Sequence, residues 1–297
     1  MGLEVIDKPS LKERTSLRLG GNAIALVTLG VETDLELLPD FLEEYGGKPF
    51  VIGRGSNILA EDGDLPLVLL TLSSQQPPRI LHDEEEYAII AVPAPLPLPL
   101  LLHFASEQAL VGLEGLMGIP GTVGGAVAMN AGSFGSEIGS FIEDITLFTP
   151  EHGLFKKAAD EINCSYRNFA FSGQALTPYF IIWEVTLKLY RSDKQAILER
   201  MKEFMHKKQD TQPIADASAG CIFKNLNPET PAGALLEKCG FKGKRLGGMC
   251  FSPIHANFMI NQGNGTSAEA LELIDLAKAA VKTNFGHTLD LEVKVIP

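Results

Sequence analysis

The distribution of glycine constrains this chain more than any other feature of its sequence. Six glycines fall between residues 118 and 135, and a Gly-x-Gly follows the apolar run of residues 49–52. Glycine tolerates positive φ, and its missing Cβ lets phosphate oxygens approach backbone N–H groups closely. Successive N–H groups of this kind converge on an anion, as they do at a helix N-terminus. One short Gly-x-Gly would more often be a tight turn, but two loops, one of them dense, favour phosphate binding.

The spacing of these glycines excludes two common phosphate-binding motifs. Neither loop reads Gly-x-Gly-x-x-Gly followed by a helix, the fingerprint of the doubly wound dinucleotide-binding folds. The Gly-Lys-Ser/Thr motif is absent as well. We therefore expect a dinucleotide cofactor held by a different fold. The predicted cofactor-binding residues are Gly53, Arg54, Gly55, Ser56 and Asn57 in the first loop, and Gly118, Ile119, Pro120, Gly121, Thr122, Gly124 and Gly125 in the second.

The amino-acid composition limits which binding partners and which cellular compartment can be expected. A net charge of −12 and a pI of about 5.0 argue against a broad basic surface for nucleic acids. The four cysteines form no Cys-x-x-Cys pair and no histidine pair has ligand spacing, so no metal site is predicted and a reducing compartment is expected. The N-terminus has no apolar signal-peptide core, and the apolar run of residues 89–102 is short and interrupted by prolines. These features predict a cytoplasmic protein that does not cross a membrane.

Alternating apolar residues predict strands in several places. Residues 180–189 alternate, and so do residues 289–295, whose second face is charged. Residues 89–102 are predicted to form a strand, then a loop through the prolines, then a helix.

Two helices are predicted from apolar residues at helical spacing. They cover residues 194–209 and 267–284. The second begins with a capping-box pattern, Thr266 followed by Glu269, and stops near Gly286. Strands and helices mix irregularly, without βαβ alternation, which predicts an α+β fold rather than a doubly wound parallel sheet.

Four stretches of the sequence resemble the UDP-N-acetylenolpyruvoylglucosamine reductases, flavoenzymes that make UDP-N-acetylmuramate for peptidoglycan. They are residues 15–21, 51–59, 112–135 and 219–297, and the part at 112–125 is the most specific. Their order and spacing match the family over nearly the whole chain.

The resemblance also implies a domain organisation. The family has an FAD-binding region of two subdomains, of the vanillyl-alcohol-oxidase (PCMH) type, followed by an α+β substrate-binding domain. For this sequence the FAD-binding region is expected over residues 1–190, with a split near residue 75. The substrate-binding domain is expected over residues 191–297.

The resemblance implies a reaction with two hydride transfers. A hydride passes from NADPH through FAD to the enolpyruvyl double bond of UDP-N-acetylglucosamine-enolpyruvate, and a protein acid protonates the adjacent carbon. The implied partners are NADPH and a small nucleotide-sugar substrate, with no nucleic acid and no membrane. A monomer is expected.

Three residues match the catalytic positions of the family. Tyr166 and Arg167 resemble its Tyr-Arg motif, where a cation would stabilise the enolate oxygen. Residues 219–225 resemble the segment Ala-Gly-Ser-x-Phe-Lys-Asn with Cys221 in place of serine, and a thiol, which ionises near pH ~8.5, is a suitable proton donor. Glu292 matches an active-site carboxylate. The alternatives are a solvated arginine, an inert buried thiol and an exposed glutamate.

Further residues match the substrate contacts of the family. Lys208 stands in a segment that resembles Arg-x-x-x-Gln-Pro, with lysine replacing arginine. Lys224 and Asn225 are expected to meet the diphosphate of the substrate. With Tyr166, these are the predicted substrate-binding residues. His255 lies in a stretch resembling Ser-x-x-His-Ala-Asn-Phe and is expected to be structural.

The sequence departs from the family pattern at three places. Phe169 stands where the pattern Tyr-Arg-x-Ser has serine. Pro93-Ala94-Pro95 replaces Ala-Gly before the central helix, and Leu226 and Asn227 separate Asn225 from the proline that usually follows it. These departures bear on loop geometry and on substrate contacts more than on FAD binding.

Two alternatives to the reductase stay open at this point. One is another FAD-dependent oxidoreductase of the same fold that acts on a different alcohol or sugar, because fold does not fix function. The C-terminal motifs argue against it. The other is a nucleotide-sugar binding protein without flavin, which the exchange of serine for Cys221 supports.

Overall fold

The computed structural model describes residues 3–297, which form twenty strands and six α-helices. The strands are β1 (Glu4–Asp7), β2 (Ala25–Leu29), β3 (Lys48–Val51), β4 (Ile58–Ala60), β5 (Leu67–Leu72), β6 (Arg79–Asp83), β7 (Tyr87–Pro93), β8 (Leu110–Val111), β9 (Gly132–Ser133), β10 (Ser136–Glu137), β11 (Ile142–Thr149), β12 (Gly153–Ala158), β13 (Ile162–Ser165), β14 (Asn168–Phe171), β15 (Ile181–Arg191), β16 (Ala217–Cys221), β17 (Arg245–Leu246), β18 (Met249–Phe251), β19 (Phe258–Asn261) and β20 (Lys294–Ile296). The helices are α1 (Glu32–Tyr45), α2 (Leu98–Glu107), α3 (Val123–Ala128), α4 (Lys194–Thr211), α5 (Ala232–Lys238) and α6 (Ser267–Phe285).

The chain divides into two compact units, and each of them is discontinuous in sequence. Unit 1 comprises the chain up to Asp7, Ala25–Gly53 and Leu67–Lys207, and unit 2 comprises Lys8–Ile24, Arg54–Pro66 and Lys208–Pro297. This division by contacts differs from a single cut near residue 190. That boundary, and the split near residue 75, stay predictions about domains.

The first sheet of unit 1 has the strand order β1-β2-β5-β3. β2, β5 and β3 run parallel, and β1 is antiparallel to β2. β2 and β5 are almost continuously apolar and buried, as expected of parallel strands covered on both faces. Because parallel strands end at the same edge, the first glycine loop leaves β3 at the edge where β2 and β5 also end.

The second sheet of unit 1 is antiparallel, with the order β12-β11-β15-β7-β6. β15 confirms the strand predicted over residues 180–189, and its buried Val185, Leu187 and Leu189 pack in one core with α2 and α3. The predicted strand, loop and helix over residues 89–102 are confirmed by β7 and α2. α4 confirms the helix predicted over residues 194–209. Among residues 3–297, no helix is long and apolar enough to cross a membrane.

Unit 2 contains an antiparallel sheet of order β16-β19-β18-β17, with α5 and α6. α6 confirms the predicted helix and its capping box. The N–H of Glu269 donates to Thr266 Oγ1 at 3.2 Å, and the N–H of Thr266 donates to Glu269 Oε2 at 3.1 Å. The helix ends at Gly286, whose φ of +74° closes the last turn.

The strand predicted over residues 289–295 is wrong for most of that length. Only β20 forms a ladder there, in parallel with β4. Leu289 and Val293 are buried as the alternation requires. The N–H groups of Glu292 and Val293, however, both donate to Ile222 O, at 2.8 and 3.4 Å. Two successive N–H groups of an extended strand point in opposite directions, so this shared acceptor requires a bend.

Contacts distant in sequence explain why N-terminal segments belong to unit 2. Besides the β4–β20 ladder, Asn261 Nδ2 donates to Leu17 O at 3.1 Å and to Arg18 O at 3.2 Å. Ser267 Oγ donates to Asp62 Oδ2 at 2.9 Å. The buried core of this unit therefore contains side chains from both ends of the chain.

Candidate cofactor and catalytic site

The second glycine loop leads into α3 in unit 1. Thr122 is the N-cap, and its Oγ1 accepts a hydrogen bond from the N–H of Gly125 at 3.2 Å. The N–H of Gly124 donates to Ala94 O at 2.8 Å, and a Cβ on Gly124 would lie 2.9 Å from Ala94 Cβ. Gly124 is thus explained by close packing, and its N–H is already used within the protein. Its role as a cofactor ligand stays a prediction.

The N–H groups that remain available lie just before the helix. Those of Gly118, Gly121 and Thr122 have no acceptor among residues 3–297. Gly121 has a φ of +140°, a conformation that residues with a side chain rarely adopt. Donors without a protein partner are the groups that an anion can use. The loop before α3, rather than its first turn, therefore offers the donors.

Gly53, the first residue of the first glycine loop, lies against Thr122 of the second loop within unit 1. A Cβ on Gly53 would lie 2.7 Å from Thr122 Oγ1, closer than van der Waals contact. The N–H of Gly53 also has no acceptor within the described chain. The N–H groups of Gly53 and Thr122 thus belong to neighbouring residues, as expected if both hold one diphosphate. This arrangement fits a bound dinucleotide such as FAD.

Gly55 is required by packing within unit 2. Its φ is +60°, and a Cβ there would overlap the backbone oxygen of Arg14. Gly55 O accepts from the N–H of Ser16 at 3.1 Å, and Ser16 Oγ donates to Ser218 O at 2.6 Å. The turn after Arg54 is therefore packed directly on the N-terminal segment of this unit.

Asn57 connects the same turn to the C-terminal segment. Its Nδ2 donates to Glu292 O at 3.1 Å, and its own carbonyl accepts from the N–H of Lys294 at 3.0 Å. The side-chain amide thus has a structural partner. Arg54 is exposed and Ser56 is half-buried. The cofactor contacts assigned to these three residues stay predictions.

Arg167 lies in the two-residue loop that joins β13 and β14 in unit 1. Its φ of +53° is left-handed, which is uncommon for a residue with a side chain and marks a constrained position. Nη2 donates to Gly132 O at 2.8 Å. The guanidinium carbon lies 5.0 Å from the centre of the Tyr166 ring, within cation–π range. The charge is therefore held against β9 beside an exposed aromatic ring.

Unit 2 brings the segments of Cys221 and Glu292 together. Cys221 ends β16, where the ladder with β19 has a bulge after Ser218. The N–H of Glu292 donates to the carbonyl of Ile222, the residue after Cys221. Cys221 and Glu292 are both half-buried. Their proximity along the backbone agrees with a shared site, and their catalytic roles stay predictions.

Asn257 orders the chain after Cys221. It is buried, its Oδ1 accepts from the N–H of Phe223 at 3.0 Å, and its Nδ2 donates to Phe223 O at 2.8 Å. His255 Nδ1 in turn accepts from the N–H of Asn257 at 3.1 Å. Burial lowers the pKa of His255, which favours the neutral acceptor form. His255 therefore has the structural role expected of it.

The predicted substrate-binding residues occupy different environments. Lys208 is buried in the last turn of α4, Lys224 is half-buried and Tyr166 is exposed. Asn225 Oδ1 accepts from the N–H of Ala232, the first residue of α5, at 3.0 Å. Its contact with a substrate, like those of the other three, stays a prediction.

The residues at which the sequence departs from the family pattern make local contacts within the protein. Phe169 is buried among aromatic rings, with neighbouring ring centres 6.0 and 6.3 Å away. Ala94, in the Pro-Ala-Pro segment, accepts the N–H of Gly124. The inserted Asn227 forms a turn in which its carbonyl accepts from the N–H of Thr230 at 3.2 Å.

One charged pair near the glycine loops escaped prediction. Glu114 Oε1 accepts from Nε and Nη2 of Arg200 at 2.9 and 2.7 Å, and Oε2 accepts from the N–H of Gly112 at 2.6 Å. The Glu114 side chain is only 7% exposed. It fixes the segment before the second glycine loop to α4. The only signal in the sequence is a lone carboxylate within the apolar segment of residues 110–119.

Two protein families match the chain. The family described as FAD binding domain matches residues 23–154. The family described as UDP-N-acetylenolpyruvoylglucosamine reductase, C-terminal domain, matches residues 212–296.

Curated relatives match the chain from end to end. A UDP-N-acetylenolpyruvoylglucosamine reductase of Nitratidesulfovibrio vulgaris is 44% identical over 294 residues, covering 99% of both chains. The reductase of Oleidesulfovibrio alaskensis is 45% identical, covering 99% of this chain and 98% of its own.

A solved structure has the same fold. The crystal structure of the UDP-N-acetylenolpyruvylglucosamine reductase from Thermus caldophilus superposes with a TM-score of 0.80 at 32% identity, covering 100% of both chains. With the two family matches, this similarity confirms the predicted α+β class, with an FAD-binding region followed by a C-terminal domain.

Proposed function

Because the chain belongs to the UDP-N-acetylenolpyruvoylglucosamine reductase family and is an FAD-dependent oxidoreductase, we propose that it reduces UDP-N-acetylglucosamine-enolpyruvate to UDP-N-acetylmuramate for peptidoglycan, with NADPH as hydride donor. The observation that carries the proposal is the similarity to reductases over both halves of the chain. A flavoprotein acting on an unrelated alcohol or sugar would share the FAD-binding half without the C-terminal half.

The two glycine loops hold the cofactor in this proposal. The N–H groups of Gly53, Gly121 and Thr122 would hold its diphosphate, since they have no acceptor within residues 3–297. When bound, FAD supplies the hydride-transfer chemistry. The protein supplies position, charge and a proton.

Arg167 stabilises the charge that develops on the substrate. A hydride that adds to one carbon of the enolpyruvyl double bond pushes negative charge onto the carboxylate as an enolate. A fixed guanidinium beside that oxygen stabilises the transition state more than the ground state. Its hydrogen bond to Gly132 O keeps the guanidinium in place before the substrate arrives.

Cys221 completes the addition by giving a proton to the adjacent carbon. The S–H bond breaks as the C–H bond forms, and the resulting thiolate recovers a proton from solvent before the next turnover. Glu292 is proposed to polarise the substrate or to position the acid. Lys208, Lys224, Asn225 and Tyr166 are proposed to contact the nucleotide-sugar.

Anaerobic half-reactions test the function. The purified protein should carry visible flavin absorbance, lose it on addition of NADPH and recover it when UDP-N-acetylglucosamine-enolpyruvate is added. Recovery with oxygen but not with this substrate would indicate an oxidoreductase of different specificity. A colourless protein that rejects FAD would indicate a binding protein. We also propose that the protein is a monomer and that it is cytoplasmic. Size-exclusion chromatography tests the first proposal, and cell fractionation tests the second.

The role of Cys221 is tested by two variants. C221S restores the serine that the family uses, and C221A removes the proton donor. We expect bleaching by NADPH to be unchanged in both. Recovery by substrate should slow in C221A by about 10²–10⁴-fold, the usual contribution of a general acid, and be retained in C221S. An unchanged recovery rate in C221A contradicts the assignment.

A further inference from the structure

We propose that Asn130 and Glu137 are positioning residues for Arg167, which fix the loop carrying its guanidinium. The inference rests on the catalytic role proposed above for Arg167. It concerns three segments of unit 1: the loop at Asn130, the β9–β10 hairpin and the β13–β14 hairpin.

Asn130 joins these segments through all of its side-chain hydrogen-bonding groups. Nδ2 donates to Glu137 Oε2 at 2.9 Å and to Ser165 O at 3.0 Å, and Oδ1 accepts from the N–H of Gly139 at 3.0 Å. The residue is 1% exposed. Its φ of +45° is a conformation that asparagine adopts more readily than most residues. A buried residue with this geometry and a complete set of partners specifies one arrangement of the chain.

Two of these partners lie directly beside Arg167. Ser165 ends β13, one residue before the loop that contains Tyr166 and Arg167. Glu137 pairs in the β9–β10 ladder with Gly132, whose carbonyl accepts from Arg167 Nη2. Asn130 therefore holds both the strand that leads into the Arg167 loop and the hairpin that receives its guanidinium.

Packing around the network leaves little room for rearrangement. A Cβ on Gly139 would lie 2.6 Å from Asn130 Oδ1 and 2.6 Å from Cys164 Cβ. Burial, with a smaller contribution from Glu137, raises the pKa of the Cys164 thiol, so this neighbour is uncharged. The carboxylate of Glu137 thus accepts from the Asn130 amide and has an uncharged thiol in its vicinity.

The β13–β14 hairpin needs such support because its strands have four residues each. Hairpins of this size are marginal unless they are packed on a larger core. Phe169 and Phe171 bury β14 in the core. The turn at Arg167 lies beyond these rings, and the bond from Asn130 to Ser165 O holds the hairpin at that end.

The test is Asn130→Asp, which exchanges one atom. The new oxygen faces Glu137 Oε2 and Ser165 O, which are both acceptors, while aspartate still tolerates the positive φ. We expect kcat for the enolpyruvyl substrate to fall about a hundredfold, the usual consequence of a small misplacement near the chemistry. KM and bound flavin should be unchanged. Asn163→Asp, the same exchange at an exposed position of β13, is the matched control, and Glu137→Gln, which keeps an acceptor, should restore most activity relative to Glu137→Ala.

A double-mutant cycle separates positioning from general structural damage. If Asn130 acts through Arg167, N130D should cause little further loss of kcat in an R167K background. Equal losses in both backgrounds would overturn the proposal.

Tryptic cleavage after Arg167 gives a readout that is independent of activity. Cleavage should be about tenfold faster in N130D than in wild type or N163D. The loss of one net hydrogen bond raises the population of the opened, cleavable loop by about this factor. Unchanged cleavage overturns the positioning role. Faster cleavage in a protein that does not turn over the enolpyruvyl substrate would leave the positioning intact and refute the proposed function instead.

Discussion

The close approach of Gly53 to Thr122 yields a quantitative prediction about how the two glycine loops depend on each other. In Gly53→Ala the new Cβ would lie 2.7 Å from Thr122 Oγ1, whereas ordinary contact begins at 3.4 Å. Thr122 must therefore move by about 0.7 Å. Its Oγ1 would then leave the N–H of Gly125, at a cost of about 1 kcal/mol for the lost cap. Overpacking adds about 1–3 kcal/mol.

Removal of the threonine side chain should relieve most of this cost. Thr122→Ala alone loses the cap, about 1 kcal/mol. In the double variant the nearest atom to the new Cβ is Thr122 Cβ, at 3.8 Å, which is an ordinary contact. We therefore expect the double variant to be about as stable as Thr122→Ala, with a favourable coupling free energy of about 2–4 kcal/mol. The affinity for FAD should fall most in Gly53→Ala, because the shift displaces the donors of both loops.

Urea unfolding measured by circular dichroism gives the stabilities of the wild type and the three variants, with and without FAD. Flavin fluorescence gives the dissociation constants. Additive losses in the cycle would refute the reasoning, because they would show that the two loops do not constrain each other. Unchanged FAD affinity in Gly53→Ala would separate the packing of the loops from cofactor binding.

Two other predictions concern stability. Glu114→Gln keeps the shape of the side chain but removes the charge facing Arg200 and Gly112. It should lower the free energy of unfolding in urea by about 1–2 kcal/mol, a modest loss because the Arg200 side chain is 41% exposed and partly screened by water. An unchanged urea midpoint would contradict the role of this pair. Burial lowers the folded-state pKa of His255 below its ordinary value of 6.5. As the pH falls, the unfolded protein therefore takes up a proton at His255 at a higher pH than the folded protein does. The stabilisation should be complete above pH 6.5 and be lost as the pH falls from there through the folded-state pKa. The urea midpoint of unfolding should therefore fall more steeply from about pH 7.5 to about pH 5.5 in the wild type than in His255→Gln. Parallel pH curves for the two proteins would contradict the contribution of His255.

Elements with a strong local pattern could be predicted, and those that depend on distant partners could not. α6 has its apolar stripe, its cap at Thr266 and its stop at Gly286 in one stretch of sequence, so its bounds followed from local rules. The segment before β20 alternates as a strand would, but its backbone bonds to Ile222 bend it. Nothing in the alternation itself reveals that distant carbonyl.

The candidate site shows the same division. The clustering of glycine indicated an anion-binding surface, and Gly53 and Thr122 do meet. The sequence did not reveal which N–H groups the protein itself would use, because Gly124 donates to Ala94 from a different element. Asn130, likewise, lay within the recognised glycine-rich stretch, but its partners Glu137 and Ser165 became visible only in three dimensions.

The exchange of serine for Cys221 can be interpreted in the light of what holds its segment in place. The backbone after Cys221 is fixed by Asn257, which bonds the main chain of Phe223 on both sides, and by the N–H of Glu292, which bonds Ile222 O. None of these bonds involves the side chain at position 221. A serine at position 221 would leave these backbone bonds in place. We therefore expect C221S to retain substrate-driven recovery, because the backbone of its segment is held as in the wild type.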